Sequence, residues 1–259
     1  LSQWINSGRG VNAQIDGTAL SYPSNCGWNA RCVEGGKYYY RDSANGWSFK
    51  NAVPGYQTWG TVTHGIRISA NSYLYSMVSK LDLCDISDMA NKLHLHDGLG
   101  QQLYDPGLLS ANIGGTRYGA TPLTMASAYA TFASEGKYCE PRPLEKITKG
   151  DGSPMKTYES KCEQAISPDI ANGVSYVLKG VLASGGSAPK RAIGLPDASA
   201  AKTGTNDNSS QTWMVGYTRG LATASWVGSN DLGYRSMNGI AINGRVLEYV
   251  DGATYAGAQ

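Results

Sequence analysis

The sequence is short of several features that would assign it to a common class. Its 22 basic and 20 acidic residues leave a net charge of +2, and only 16% of the chain is charged. Nucleic-acid-binding domains usually carry a strong basic excess, so the composition argues against a nucleic-acid partner. Phenylalanine is also scarce, with 2 residues against 17 tyrosines and 33 glycines. This balance is typical of ordered, loop-rich secreted proteins.

The sequence also lacks a segment with the length and apolar character of a membrane span. Residues 118–134 form an uncharged stretch of 17 residues rich in Ala, Ser and Thr. A transmembrane helix needs about 20 mostly apolar residues. The first ten residues have neither the basic region nor the apolar run of a signal peptide. The 259 residues allow one large domain or two small ones, and they are enough for a buried core.

Five cysteines are present, and neither candidate pair has the Cys-x-x-Cys spacing of a zinc site. Cys26 and Cys32 bracket a short loop, and Cys139 and Cys162 flank a segment rich in Pro, Gly, Lys and Glu. We therefore expect disulfides Cys26–Cys32 and Cys139–Cys162, with Cys84 left as a buried thiol. Five unpaired buried cysteines are the alternative. Disulfides are typical of oxidising, extracytoplasmic compartments.

Helical signals precede strand signals along the chain. Thr121-Pro122 and Ser167-Pro168 each combine an N-cap residue with proline at the first helical position, and Asp85 is expected to cap a third helix. Short segments rich in Thr, Val, Trp and Tyr follow and alternate with turns, at residues 200–205, 212–218 and 221–227. Helices first and a strand meander last predict an α+β domain.

The most distinctive string is Lys202-Thr203-Gly204-Thr205, in the first of those strands. Glycine inside a strand is tolerated where a ligand or another backbone must approach closely. Lysine supplies a cation and threonine supplies hydroxyl groups, and both suit a substrate carboxylate. Taken alone, the string is equally consistent with an ordinary strand that carries an exposed lysine and a bulge.

Other segments stand in order around this string. Residues 212–218 and 224–228 follow it, and Gly114-Gly115-Thr116 and residues 121–133 precede it. Together these collinear segments resemble the transpeptidase domain of class A penicillin-binding proteins, over nearly the whole chain and most firmly over residues 60–230. The resemblance implies an α+β fold with an antiparallel sheet of about five strands, helices on both of its faces and a mostly helical subdomain.

This family is built on three motifs, Ser-x-x-Lys, Ser-x-Asn and Lys-Thr-Gly. The resemblance identifies Ser69-Ala70-Asn71 as the second motif, because an apolar helical segment follows it. The tripeptide pattern is weak by itself. It recurs at residues 43–45, 110–112 and 236–238, and only the order of the motifs favours Ser69.

No Ser-x-x-Lys string stands where the family has its nucleophile. The matches in the chain all follow Ser69, and they begin at Ser134, Ser153, Ser187 and Ser199. Residues 1–8 resemble the stretch that normally follows the first motif. We therefore expect the nucleophile to lie upstream of Leu1. Residues 1–259 would then be a transpeptidase domain without that segment and without a C-terminal helix, and this chain alone would be inactive.

The resemblance implies a serine-type DD-transpeptidase that cross-links peptidoglycan. In such an enzyme a serine attacks a stem peptide ending in D-Ala-D-Ala and forms an acyl-serine intermediate. Ser69 would relay protons to the leaving D-Ala amine. Asn71 would hold the lysine of the first motif and the substrate amide, and Lys202 would supply a positive field.

The resemblance assigns substrate binding to the strand that carries the third motif. The hydroxyl groups of Thr203 and Thr205 would bind the terminal carboxylate, and Gly204 would let the strand pair with substrate. The Thr205 N–H would be one oxyanion donor. β-Lactam antibiotics would acylate the same serine, and no metal or cofactor is implied. The family further implies the extracytoplasmic face of a bacterial membrane, with a membrane anchor and a glycosyltransferase domain outside this chain.

Two alternatives belong to the same superfamily. A serine β-lactamase needs a deacylating base, often in a Glu-x-x-Leu-Asn loop, and residues 140–145 miss that spacing by one residue. A non-catalytic penicillin-sensing domain is the other alternative, and a slow or permanent acyl-enzyme without D-Ala transfer would favour it.

His94 and His96 have no third ligand cluster nearby in the sequence, so we interpret them as a solvated helix end.

Overall fold

A computed structural model of the chain describes residues 1–40, 44–195, 199–229, 235–242 and 244–258. These residues form α-helices and antiparallel strands, joined by turns and short 3-10 helices. The α-helices are α1 (Ser2–Asn6), α2 (Val62–Arg67), α3 (Asn71–Val78), α4 (Leu83–Lys92), α5 (Pro122–Ala133) and α6 (Pro168–Leu182). Among the residues described, none of the helices has the combination of length and apolar character that crossing a membrane requires.

The strands are short except for the three of the main sheet, which lie between residues 200 and 228. They are β1 (Gln14–Asp16), β2 (Ser21–Tyr22), β3 (Gly27–Asn29), β4 (Lys37–Tyr39), β5 (Trp47–Ser48), β6 (Trp59–Thr61), β7 (Lys137–Cys139), β8 (Lys146–Thr148), β9 (Pro154–Thr157), β10 (Cys162–Gln164), β11 (Ala200–Thr205), β12 (Gln211–Tyr217), β13 (Ala222–Gly228), β14 (Ala241–Ile242) and β15 (Arg245–Val246). The main sheet has the order β11–β12–β13, and every strand pair is antiparallel.

The α+β class predicted from the sequence is confirmed, but the strand number is different. The main sheet has three strands within the described ranges, whereas about five were expected. The physical reason is that the remaining strands are only two to four residues long and pair locally, two by two. Segments this short form isolated two-stranded pairs between loops and do not extend the main sheet.

The helices that flank the sheet begin where the sequence predicts. The Thr121 side chain accepts a hydrogen bond from the Thr124 N–H at 3.1 Å, and Ser167 accepts one from Ile170 at 3.4 Å. Proline follows each cap inside the first turn. Each hydroxyl satisfies an N–H that has no partner inside its helix, which contributes about 1 kcal/mol per cap.

The helix α4 begins earlier than predicted. Asp82, not Asp85, caps α4, and its carboxylate accepts a hydrogen bond from the Cys84 N–H at 2.9 Å. Asp85 lies in the first turn and forms an ion pair with Arg31 at 2.8 Å. Both aspartates satisfy the sequence signal for a helix start. Arg31 contacts both of them, because its backbone N–H donates to Asp82 at 3.0 Å and its guanidinium pairs with Asp85.

The main sheet is packed on both faces. On one face Tyr217 bonds to Ser175 of α6 through their hydroxyl groups at 2.8 Å and lies against Phe132 of α5. On the other face the segment that ends in the 3-10 helix Ala256–Ala258 covers the sheet, and Gly257 lies next to Met214. Burial of the aliphatic stripe of α6 under the sheet supplies about 1.5–3 kcal/mol per large side chain.

The helical subdomain has two further clusters of buried side chains beside α3. One joins α1, β1, α2 and α3 through Trp4, Ile15, Val62, Tyr73 and Met77. The other joins β3, α3 and α4 through Trp28, Tyr75, Val78, Leu83 and Leu109. Because α3 contributes to both clusters, its start at Asn71 is held firmly from two sides.

The disulfide pattern corrects one expectation. The structure contains the expected Cys139–Cys162 bond, across paired β7 and β10. The expected Cys26–Cys32 pair is wrong, because Cys32 is bonded to Cys84 and Cys26 is a free thiol.

The physical reason for this pairing lies in tertiary contacts at α4. Arg31 docks onto α4 through the carboxylates of Asp85 and Asp88, which places Cys32 beside the helix start. Cys26 precedes β3 and packs against the buried cluster around Trp28. The short sequence separation of Cys26 and Cys32 therefore does not identify the disulfide partner of Cys32.

Candidate active site

Ser69 lies at the corner between α2 and α3. It has a φ of 58°, in the left-handed region that glycine usually occupies after a helix end. The backbone closes the corner with hydrogen bonds from Ser69 N–H to the Ile66 carbonyl and from Ala70 N–H to the Gly65 carbonyl, at 3.1 and 3.0 Å. Holding a non-glycine residue in this region costs about 1–3 kcal/mol, and such residues concentrate at functional sites.

Close packing of the two helices fixes this corner. A methyl group on Gly65 would lie 2.3 Å from Cβ of Tyr73, so only glycine lets α2 cross α3 at this point. Tyr73 is fully buried, and its hydroxyl bonds to Thr58 at 2.8 Å. Ser69 is therefore held by a rigid scaffold and not by a loose loop.

Lys202 reaches from the sheet to this corner. Its ammonium donates to Ser69 Oγ at 2.6 Å and to the Thr203 carbonyl at 2.8 Å. Burial lowers the pKa of Lys202 to about 8, since a charged amine loses hydration when it leaves water. Part of the lysine population is therefore neutral near physiological pH. The structure brings together two residues that are 133 positions apart in the chain.

The two threonines of β11 lie on the opposite face of the strand from Lys202. Strand alternation requires this, because successive side chains of a strand point to opposite faces. Thr203 Oγ1 lies 2.9 Å from Ser187 Oγ. The Gly252 N–H donates to Thr205 Oγ1 at 3.0 Å, and this bond leaves the hydroxyl hydrogen of Thr205 free to be donated.

Gly204 has a packing reason for being glycine. A Cβ there would lie 3.2 Å from Cβ of Trp213, its partner in β12. The segment around Gly252 crosses the same position, because a methyl group on Gly252 would lie 2.5 Å from the Gly204 carbonyl oxygen. Pairing of Gly204 with a substrate backbone stays a prediction.

Asn71 occupies the first position of α3, close to Ser69 in sequence. Its side-chain amide donates to the Lys50 carbonyl at 2.7 Å. This contact ties the start of α3 to the preceding loop. The structure thus joins Ser69 to Lys202 directly, while the hydrogen bond of Asn71 goes to the loop.

The outer edge of β11 has no strand partner among the described strands. The Thr203 carbonyl accepts the Lys202 ammonium, and backbone groups of alternate residues face the same edge of an antiparallel strand. The backbone groups of Thr203 and Thr205 therefore share one edge. An extended peptide could pair with that edge by main-chain hydrogen bonds.

The Ser-x-x-Lys serines of this chain are engaged elsewhere. Three of them bond to nearby groups: Ser134 Oγ to the Ala130 carbonyl, Ser153 Oγ to the Asp151 carboxylate and Ser199 Oγ to the Leu195 carbonyl. The fourth, Ser187, bonds to Thr203. In the described part of the chain, none of these four hydroxyls bonds to Ser69 or Lys202.

The histidines belong to a different region. His94 stacks on Tyr138 with ring centroids 3.7 Å apart, and its Nε2 lies 2.7 Å from a Glu163 carboxylate oxygen. Glu140 lies 3.8 Å from the Lys161 ammonium. These residues line a groove of about 730 Å³ to which Ser69 and Lys202 do not contribute. Across the residues that the structure describes, no group of three potential metal ligands is assembled.

Sequence reasoning missed the contact of Ser187 with the Lys-Thr-Gly strand. In the sequence, Ser187 is distinctive only as the first residue of a Ser-x-x-Lys string. A usable signal was present, because Gly185-Gly186 comes directly after the long helix α6 and indicates a tight return of the chain.

Comparison with known proteins gives concordant results. The family model for the penicillin binding protein transpeptidase domain matches residues 32–245. Penicillin-binding protein 1A of Mycolicibacterium smegmatis is 30% identical over 186 residues, which cover 66% of this chain and 23% of that protein. The protein of the same name from Mycobacterium tuberculosis is 29% identical over 184 residues, covering 65% and 22%. This chain thus spans about a quarter of the length of these relatives.

Solved structures show the same fold. Penicillin-binding protein 1A from Haemophilus influenzae aligns with a TM-score of 0.72 at 17% identity, over 89% of this chain and 36% of that one. PonA1 from Mycobacterium tuberculosis aligns with a TM-score of 0.66 at 24% identity, over 88% and 57%. With the family model matched over residues 32–245, this chain belongs to the penicillin-binding protein transpeptidase domain family.

Proposed function

We propose that this chain forms part of a serine-type DD-transpeptidase that cross-links peptidoglycan stem peptides ending in D-Ala-D-Ala. β-Lactams would acylate the same serine. The observation that carries the proposal is the 2.6 Å bond between Lys202 and Ser69, which joins the second and third motifs of the family. Related proteins of this fold include PonA1 in complex with penicillin V and penicillin-binding protein A as an imipenem acyl-enzyme.

In this proposal Ser69 and Lys202 form a proton relay. Ser69 Oγ accepts the ammonium proton of Lys202 in a hydrogen bond, so its own hydrogen is free to point at the departing D-Ala nitrogen. When the peptide C–N bond breaks, Ser69 donates that hydrogen to the leaving amine and takes a proton from Lys202. A lysine pKa of about 8 suits this transfer, because an amine with a pKa close to neutral pH releases and regains its proton readily.

Recognition of the substrate would use the other face and the open edge of β11. The hydroxyl groups of Thr203 and Thr205 donate to the terminal carboxylate, and the positive charge of Lys202 strengthens both bonds. The Thr205 N–H serves as one oxyanion donor at the edge that it shares with Thr203. Removal of one such donor typically costs about 10²–10³ in rate.

We further propose that the attacking serine is not among these 259 residues. The four Ser-x-x-Lys hydroxyls bond to other groups or to Thr203, as described above. The serine would come from a longer protein that also carries the membrane anchor and a glycosyltransferase domain. That protein would act on the extracytoplasmic face of the membrane, where disulfides such as Cys32–Cys84 are stable.

A mutational comparison in the full-length protein tests this function. Ser69→Ala should lower the rate of D-Ala release from a D-Ala-D-Ala peptide by about 10²–10⁴-fold, the usual contribution of a proton-transfer group. Ser110→Ala is a matched control, because residues 110–112 repeat the letters Ser-Ala-Asn. It should leave the rate unchanged. A wild-type protein that releases no D-Ala, or a Ser69→Ala variant with full activity, would contradict the proposal.

A further inference from the structure

The loop that follows α6 folds back onto the end of its own helix. Gly185 has a φ of +77°, and a methyl group on Gly186 would lie 2.3 Å from the carbonyl oxygens of Gly180 and Val181. The Ala188 N–H then donates to the Val181 carbonyl at 2.9 Å. These contacts fix the position of the residue between Gly186 and Ala188.

That residue, Ser187, connects the two motifs that form the candidate site. Its N–H donates to the carbonyl of Arg67 at 3.1 Å, and Arg67 ends α2 two positions before Ser69. Its Oγ bonds to Thr203 Oγ1 at 2.9 Å. Ser187 is therefore held at the backbone by the Ser69 corner and offers its side chain to the Lys-Thr-Gly strand.

The hydroxyl groups of Ser187 and Thr203 can bond to each other and still donate one hydrogen bond to a third group. Each hydroxyl group has one hydrogen to donate, and the bond between Ser187 and Thr203 uses one of the two. Either direction of that bond is compatible with the distance. In both directions one O–H of the pair stays free for an anion, and its orientation is restricted by the partner oxygen.

We propose that Ser187 is a positioning residue that sets the recognition of the donor carboxylate. By holding the Thr203 hydroxyl, it keeps one O–H of the pair directed at the terminal carboxylate of the stem peptide or of a β-lactam. The inference rests on the proposed transpeptidase function and deepens it, because it adds a specificity residue outside the three motifs. Without Ser187, the Thr203 hydroxyl rotates freely and loses that orientation.

The test compares two donors in the full-length protein. One peptide ends in D-Ala with a free carboxylate, and the other ends in the corresponding D-Ala amide. Ser187→Ala should lower kcat/KM for the carboxylate donor by roughly tenfold, the usual value of a hydrogen bond to a charged group. It should change kcat/KM for the amide donor by less than about twofold, because a neutral amide gains less from the oriented O–H.

Two further comparisons separate the hydroxyl from the shape of the loop. Ser187→Thr keeps a hydroxyl and should keep the preference for the carboxylate, whereas Ser187→Val has a similar shape without the hydroxyl and should lose it. Ser184→Ala changes an exposed serine of the same loop and should change neither donor. The Thr and Val variants also carry the test if the alanine variant does not fold.

The outcomes are distinguishable. Equal loss for both donors in Ser187→Ala and Ser187→Val would show a purely structural loop residue and overturn the inference, while the proposed function would stand. Unchanged kinetics in both variants would overturn it as well. A wild-type protein that turns over neither donor would overturn the proposed function and this inference with it.

Discussion

The partly buried lysine of the candidate site, Lys202, makes a quantitative prediction about stability. Lys202→Met should abolish acyl transfer and also remove a pH-dependent destabilisation of the fold. Burial lowers the pKa of Lys202 from 10.5 to about 8. The unfolded chain therefore binds the lysine proton more tightly than the folded chain does. Methionine has a similar length and does not titrate, so it removes this term.

The sign and size follow from proton linkage. A lowered lysine pKa destabilises the folded state by about 3 kcal/mol below pH 8, because each pKa unit corresponds to about 1.4 kcal/mol. The penalty fades as the pH rises from the folded pKa towards the unfolded one. Between about pH 7 and pH 9.5 the wild-type chain should gain about 2 kcal/mol relative to Lys202→Met.

Urea denaturation at several pH values measures this difference. The free energy of unfolding of Lys202→Met minus that of wild type should shrink by about 2 kcal/mol over this interval. Taking the difference cancels the titration of groups common to both proteins. Lys190→Met changes an exposed lysine and serves as the control, with a difference that stays constant. A constant difference for Lys202→Met as well would refute the assignment of Lys202 as a partly buried cation that destabilises the folded state.

Two further predictions concern the scaffold. Replacing Cys32 and Cys84 together by serine should lower the free energy of unfolding by about 4 kcal/mol, the loss of chain entropy expected for a loop closed over 52 residues. Peptide mapping without reductant should find Cys26 as the alkylated thiol. A disulfide-linked Cys26–Cys32 peptide would contradict the observed pairing. Gly186→Ala should cost at least about 2 kcal/mol by overpacking, while Gly150→Ala, which has open space around it, should cost much less. Equal urea midpoints for these two alanine variants would contradict the packed loop.

The predictable part of the fold is the part set by local signals. Thr121 and Ser167 identify the starts of α5 and α6, because cap and proline act within one turn of the helix. The strands of the main sheet follow from alternation and turn residues over residues 200–228. The order of motifs also singles out Ser69 and Lys202, and the structure brings these two side chains into contact.

Features set by tertiary contacts could not be predicted. The partner of Cys32 depends on the docking of Arg31 onto α4, across more than 50 positions of chain. The bond from Ser187 to Thr203 depends on the return of the chain after α6. The Ser-x-x-Lys string that begins at Ser187 indicates a possible nucleophile and not a hydrogen-bond partner of Thr203. Distance in sequence carries no information about such pairs.

The central claim is that residues 1–259 supply the proton relay and the carboxylate site, while the nucleophile lies elsewhere in the full-length protein. Mass spectrometry of that protein after exposure to a β-lactam tests this claim most directly. Proteolysis and peptide mapping would locate the acylated serine. The expected result is a single acylated serine outside these residues, with acylation slowed by about 10²–10⁴-fold in Ser69→Ala. An adduct on Ser69, or on Ser134, Ser153, Ser187 or Ser199, would contradict the proposed division of roles.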